Sequence, residues 1–515
     1  MTTTRRATRI FGATATTLAA ALSVSFVAFA QEQATTPVIP PDARAEKHPG
    51  AWEKISIPPL HPFHPEQPKR IELKNGLVIL LEEDHELPFI NGSFEIRGGS
   101  RSEPAAKAGL IDLYSQTWRT SGTAAQDGDK LDDLLEAKAA KVETGGDETS
   151  TSVSWSCLKQ DEDQVYRIAV DLLQRPVFNE QKLMLAKQQE LAGIVRRNDD
   201  ASGIAGREAA KLVYGATSPY VRQPEVATVM PITVADLKAW HDKTVAPNNI
   251  IIAITGDFDA AAMEKTLRAT FETLPRGEAW KEAEVPVPGP TPGLYLVNKP
   301  DVNQSNVWIV GVGTRRDNPD YYALAVMNEI FSGGFGSRLF QDVRTKLSLA
   351  YGVSGGYGAA YDHVGMFSTE AATKSESTVA ATKEILKDIG DLKTEPFTDD
   401  ELKSAKDQLL NSFIFRYDTK EKVLTEAVTL EFYHYPPDFL DKYRSAVEKV
   451  TTADVERVAK KYIEPSKLAV LIVGNASQFG EPGLTSLGLG AEHPVDITIR
   501  MPAAMRQQMM GGPGN

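Results

Sequence analysis

The chain has 515 residues, 42% of them apolar, which is enough to bury the cores of two or more domains. Lys and Arg number 56 against 69 Asp and Glu, a formal charge of −13, and this acidic balance without a basic stripe excludes a nucleic-acid-binding role. Cys157 is the single cysteine, so no internal disulfide can form and stability must come from packing.

Residues 1–30 read as a secretory signal. Arg5, Arg6 and Arg9 precede an apolar run from Phe11 to Val27, and Ala28-Phe29-Ala30 supplies an A-x-A cleavage site. Cleavage after Ala30 removes three Arg and no acid, taking the charge from −13 to −16. No later segment is apolar enough to span a bilayer, so the expected location is periplasmic or extracellular, without stable membrane insertion. Residues 31–68 hold nine prolines and read as an extended lead-in. His61 and His64 fall in this Pro-broken stretch and are expected to be solvated. The other histidines (His48, His85, His241, His363, His434, His493) are scattered, with no metal-binding spacing.

The stretch from Gly109 to Thr123 predicts an amphipathic helix. Leu110, Leu113, Tyr114, Thr117 and Trp118 form its apolar stripe, and Asp112, Ser115 and Gln116 form the opposite one at i, i+3, i+4. An inverted zinc motif, H-x-x-E-H, sets two imidazoles and a general-base Glu at that spacing. One carboxylate, a hydroxyl and an amide are a poor set for a catalytic zinc, which needs three protein ligands and a water. Further on, Val153 to Leu158 alternates like a strand, so Cys157 reads as a buried structural thiol.

The remainder is a tandem repeat. Asp236 and Asp454, Pro247 and Pro465, and Gly256 and Gly474 each stand 218 residues apart. In both halves a helix runs into a Pro and then an apolar strand, Ile250–Ile254 in one and Leu468–Val473 in the other. Phe178-Asn179-Glu180 and Phe397-Thr398-Asp399 both open long helices, the latter with a capping box from Thr398 and Glu401. A period near 218 is too long for a solenoid unit and implies two homologous domains. The expected division is a lead-in over 31–68, a first domain over 69–280, a Pro-rich linker over 281–293, a second domain over 294–485 and a disordered tail over 486–515. Strands and helices mix without regular βαβ alternation, so the fold class is α+β with an antiparallel sheet against helices in each domain.

In the second half, Phe331 to Tyr351 reads FSGGFGSRLFQDVRTKLSLAY. Its Gly-rich start lacks the Lys-Ser/Thr ending of a phosphate loop. Arg344 offers a rigid fork of donors and Tyr351 one more, a pairing suited to a peptide carbonyl or carboxylate and to charge developing on a tetrahedral intermediate. Arg344 is expected to end a helix and Tyr351 to open a strand.

These motifs in order (Leu73-Lys74-Asn75-Gly76-Leu77-Val78, then Gly98-Gly99-Ser100-Arg101-Ser102-Glu103, then Gly109-Leu110, then Ser121-Gly122-Thr123, then the Phe331–Tyr351 segment) resemble the pitrilysin-type metallopeptidases. The resemblance spans residues 65 to 480. It places the family's first zinc His on Asp112, its base Glu on Ser115, its second His on Gln116 and its third ligand, a Glu, on Gly193; Glu190 is the nearest spare carboxylate. All three ligands and the base are therefore replaced. The resemblance implies two homologous domains forming half of a clamshell chamber, with Arg344 and Tyr351 holding substrate. Ser348 stands where the family has Gly, a departure expected to cost little.

The leading expectation is a non-catalytic, substrate-binding subunit of an exported zinc metallopeptidase, inactive alone. Its partners would be a zinc-bearing homologous subunit and a peptide substrate. No cofactor is expected in this chain, with zinc in the partner. The alternative is a scaffold or binding protein of the same fold without a role in proteolysis. An active peptidase with unusual ligands is the third reading, disfavoured by the residues at 112, 115, 116 and 193.

Overall fold

The computed structural model describes residues 65–501; the signal expected over 1–30 and most of the lead-in lie outside the described residues. The first half contains β1 (Lys69–Glu72), β2 (Val78–Glu83), β3 (Phe89–Arg97), β4 (Lys141–Gly146), β5 (Ser150–Leu158) and β6 (Ile250–Gly256). Its helices are α1 (Leu110–Thr120), α2 (Gly128–Ala137), α3 (Glu162–Gln174), α4 (Glu180–Arg196), α5 (Ala201–Tyr214), α6 (Val226–Val229), α7 (Val234–Thr244) and α8 (Ala260–Phe271). The second half contains β7 (Gly293–Asn298), β8 (Gln304–Val312), the short pair β9 (Thr314–Arg315) and β11 (Ala359–Ala360), β10 (Ala350–Tyr357), β12 (Met366–Lys374), β13 (Ala469–Gly474) and β14 (Glu492–Pro494). With them come α9 (Tyr321–Ser332), a π-helical turn over Phe340–Lys346, α10 (Thr378–Thr394), α11 (Asp399–Phe413), α12 (Lys420–Phe432), α13 (Phe439–Lys449) and α14 (Thr452–Tyr462).

Each half builds a six-stranded sheet, and the strand orders match. The first runs β1-β2-β6-β3-β5-β4; the second, read in the same sense, runs β14-β7-β13-β8-β12-β10. Each is mostly antiparallel, with β2–β6 parallel in the first sheet, and β7–β13 and β7–β14 parallel in the second. The parallel pairs arise because β6 and β13 return only after long helical excursions and insert at the sheet centre. Both central strands are buried along their whole length, as continuous apolar runs demand. The helices before them start alike: Thr233 with Asp236, and Thr451 with Asp454, each form a reciprocal capping box, as do Thr398 and Glu401 on α11. One face of each sheet carries its own half's main core, with Phe94, Tyr114, Trp118 and Phe271 in the first and Phe331, Val343, Ile385 and Phe367 in the second.

The opposite faces are covered by exchange. Helix α5 of the first half lays Ile204, Ala205, Ala209 and Val213 on Val310, Leu471 and Val473 of the second sheet. Its repeat-mate α12 lays Leu424 and Phe432 on Val78, Leu80, Ile251 and Ala253 of the first. The halves are further joined by the two-point Arg70–Glu431 pair at 2.8 and 2.9 Å and by Arg101 Nη2 donating to Asp362 Oδ2 at 2.5 Å. Neither half has a complete shell without the other.

The tail departs from expectation. Over 486–501 it is structured: β14 pairs with β7 at the place β1 holds in the first sheet, Val495 N donates to Leu296 O, and Asn198 Nδ2 donates to Ile497 O at 2.6 Å. Val495 and Ile497 pack beside α5, and Ile499 and Met501 against the first core. The missed signal is the period-2 alternation Val495, Ile497, Ile499, Met501.

Candidate functional site

Helix α1 forms as its apolar stripe predicts. Leu113, Tyr114 and Trp118 are fully buried, Trp118 Nε1 donates to Leu172 O at 2.7 Å, and Tyr114 Oη lies 2.8 Å from His241 Nδ1. Burial pushes His241 down to about 4, so that ring is neutral and structural. The chain enters α1 through Gly109 at φ 96, a left-handed conformation that favours glycine. Because Gly109 has no side chain to cap the helix, Glu103 reaches back and accepts from Gly109 N and Ile111 N at 2.9 and 3.0 Å. Desolvation nevertheless holds Glu103 up at about 7, outweighing those two bonds.

On the other stripe the residues do not make a zinc site. Ser115 is buried and its Oγ donates to the Asp112 carbonyl at 3.2 Å. Asp112 is half-buried, with burial holding its carboxyl above the usual range. Glu190 on α4, the helix packed against α1, is shifted the same way, by burial first and then by the Asp112 charge. Gly193, further along α4, is exposed, and a Cβ built there meets nothing within 4 Å. The third ligand position thus has room for a side chain and lacks one. Two carboxylates, one amide and no imidazole fall short of what a catalytic zinc takes, and no step through zinc is derived for this chain.

Arg344 and Tyr351 are brought together. Arg344 lies in the last turn of the π-helical segment, which closes with Leu347 N donating to Asp342 O at 3.3 Å, five residues back. Leu349 N then donates to Val343 O and the chain enters β10, carrying Tyr351. The Arg344 guanidinium carbon sits 5.0 Å from the Tyr351 ring centre and 4.7 Å from that of Phe340, and Phe340 packs edge-on against Phe335 at 5.0 Å. Tyr351 is 84% exposed, Phe335 75% and Leu347 49%, so a cation stands inside an uncovered apolar strip. Ser348 adopts φ 52, which explains the Gly of the related motif and corrects the expectation of a negligible cost: a non-Gly residue held left-handed is strained by about 1 kcal/mol.

A cavity of about 1350 Å³ opens between the halves, lined among others by Arg101, Tyr220, Trp280, Arg316, Tyr361 and Tyr435. Arg316 stacks on Tyr361 at 3.8 Å, and Tyr361 stacks on Tyr433. None of Asp112, Ser115, Gln116, Gly193, Arg344 or Tyr351 lines it. Its residues come from distant segments of both halves, so no local motif announces it.

Cys157 is buried with its thiol pushed up to about 12, as expected of an inert structural cysteine. Among the described residues no helix is long and apolar enough to cross a membrane.

Comparison with known proteins places these features. Residues 231–409 match the family described as the peptidase M16 inactive domain. The chain is 26% identical over 405 residues to a Helicobacter pylori protein named non-peptidase homolog YmxG, covering 77% of this chain and 91% of that protein. It is 25% identical over 365 residues to a Rickettsia felis protein named an uncharacterized zinc protease, covering 68% and 84%. Its fold matches the crystal structure of a peptidase M16 inactive domain from Pseudomonas fluorescens with a TM-score of 0.72 at 24% identity, over 84% of this chain and all of that one.

Proposed function

We propose that the chain is an inactive peptidase-like relative of the M16 family, as its matches over 231–409 and to the Helicobacter pylori protein support, and that it is the substrate-binding subunit of an exported zinc metallopeptidase, working with a separate zinc-bearing homologue. The observation that carries this reading is the half-buried Arg344 set against the exposed Tyr351 ring within an apolar strip, in a chain whose own zinc slots hold Asp112, Ser115, Gln116 and Gly193. A guanidinium next to an exposed phenol can bind a peptide carbonyl or carboxylate, and Phe335 and Leu347 can take the neighbouring apolar side chains. Substrate would lie in a chamber closed jointly with the partner, to which this chain contributes one wall. Export rests on the signal read over 1–30.

Mixing the purified chain with a zinc-bearing homologue from the same genome tests this. Peptide hydrolysis absent from either protein alone is expected in the mixture. Arg344→Ala and Tyr351→Phe should lower its turnover about a hundred- to thousand-fold, the equivalent of roughly 2.7–4 kcal/mol for a lost donor to a developing oxyanion, while assembly stays intact. A clamp acting on ground-state substrate alone would instead raise KM at nearly constant kcat. Full activity of the doubly substituted mixture would establish the scaffold reading in its place.

A further inference from the structure

The second half holds three carboxylates whose arrangement neither the fold nor the peptide-binding reading requires. Asp342 lies in the π-helical turn, two residues before Arg344, while Glu384 and Asp388 stand i, i+4 on α10, which packs against that turn. One carboxylate oxygen from each lies within 4.8 Å of the others, the only such group of three among the described residues. Asp388 is 4% exposed and its Oδ2 has no hydrogen-bond partner. A buried carboxylate with one unanswered oxygen, grouped with two further carboxylates, is costly as it stands.

Two lysines approach but do not satisfy the group. Lys346 pairs with Asp342. Lys387 Nζ lies 3.1 Å from Glu384, 3.1 Å from Asp391 and 3.6 Å from Asp388 Oδ1. Their side chains are 67% and 56% exposed, so both come from the solvent edge and can swing out, leaving Oδ2 on the inner side unaddressed. Burial first, then the Asp342 and Glu384 charges, hold Asp388 up at about 7, the sign of a site that wants positive charge within it.

We propose that Asp342, Glu384 and Asp388 bind one hard divalent cation of the Ca²⁺, Mg²⁺ or Mn²⁺ class. The ligands are all oxygen, with neither imidazole nor thiolate, which selects this class over zinc. Water completes the coordination from the solvent side, where the lysines now stand. The cation ties the π-helical turn to α10 and so fixes the backbone that carries Arg344. Its binding does not depend on the peptide-binding reading.

The test uses the purified chain after chelator treatment and dialysis, titrated calorimetrically with CaCl₂, MgCl₂ or MnCl₂ and melted with and without each salt. One cation per chain and a raised melting temperature are expected for at least one salt. Asp388→Asn, which keeps the side chain's shape and removes a buried charge, should weaken binding at least tenfold and abolish the rise. Lys387→Ala, on the surface, should tighten binding severalfold. No binding of any salt to either the wild type or Lys387→Ala would overturn the proposal, as would undiminished binding by Asp388→Asn, which would show an adventitious ion only.

Discussion

Replacing Glu95 with Gln should stabilise the chain above neutral pH and change little near pH 5. Glu95 lies on β3, opposite Ser152 on one side and Ile251 on the other, on the face that α12 covers. Its neighbour on that face, Arg97, is drawn onto the Phe432 ring at 4.4 Å. Burial therefore dominates at Glu95, a hydrogen bond with Ser93 offsets it in part, the Asp147 charge adds to it, and the carboxyl is held at about 7 against an ordinary 4.5. A folded-state pKa above the unfolded one means that stability is fully present below about 4.5 and is lost as pH rises through about 7. The shift of about 2.5 units corresponds to roughly 3 kcal/mol once Glu95 is ionised, at about 1.4 kcal/mol per unit. Between pH 5 and pH 8 the advantage of Gln over Glu should grow by roughly 2–3 kcal/mol. If the first half melts as one unit, that is a relative gain of about 4–12 °C in melting temperature by scanning calorimetry. An advantage that is the same at both pH values, or a variant less stable than wild type at pH 8, would refute the assignment of Glu95 as a buried, poorly compensated acid.

Gly193→Ala should raise stability by about 0.5–1 kcal/mol in urea unfolding, because an added Cβ meets nothing within 4 Å inside α4 and the unfolded chain loses freedom. Ser348→Gly should gain roughly 0.5–1 kcal/mol by relieving the φ of 52, read from the same unfolding curves. Cys157 should not react with a soluble aromatic disulfide in the native state and should react stoichiometrically once unfolded. Truncation after residue 491 should cost roughly 2–4 kcal/mol by removing β14 and the partly buried Val495 and Ile497, with earlier proteolysis as a second readout.

The two-domain α+β plan was legible because the repeat is written in residues with fixed structural duties. Thr233 and Thr451 cap helices, and the apolar runs beginning at Ile250 and Ala469 fill sheet centres, so both recur at nearly the same separation. The exchange of α5 and α12 was not legible, since an apolar stripe says that a helix is covered but not by which sheet. Nor was β14, whose residues Glu492, His493 and Pro494 are exposed and carry no apolar run, the His493 ring resting on Tyr295 of β7. The carboxylate group was hidden for a related reason: Glu384 and Asp388 form an ordinary i, i+4 surface pair until the fold brings Asp342 beside them.

The candidate site divides in the same way, between residues that the core holds and residues that it does not. On α1 the buried stripe, the Gly109 turn and the Glu103 cap are bound to the core, so they persist whatever the helix does on its other side. Asp112 and Gln116 are half-buried and Gly193 is exposed with open space around it, so none of the three belongs to the apolar core. Nothing in folding preserves a zinc set there once catalysis is not required of it. Arg344 is half-buried against the Phe340 ring, whereas Tyr351 leaves an aromatic ring 84% in water, which folding does not reward. An exposed ring in an apolar strip that solubility disfavours is a surface on which contact with another molecule would be rewarded. On the proposed reading that exposed strip is the part of the chain that touches substrate, a surface an inert scaffold would not need.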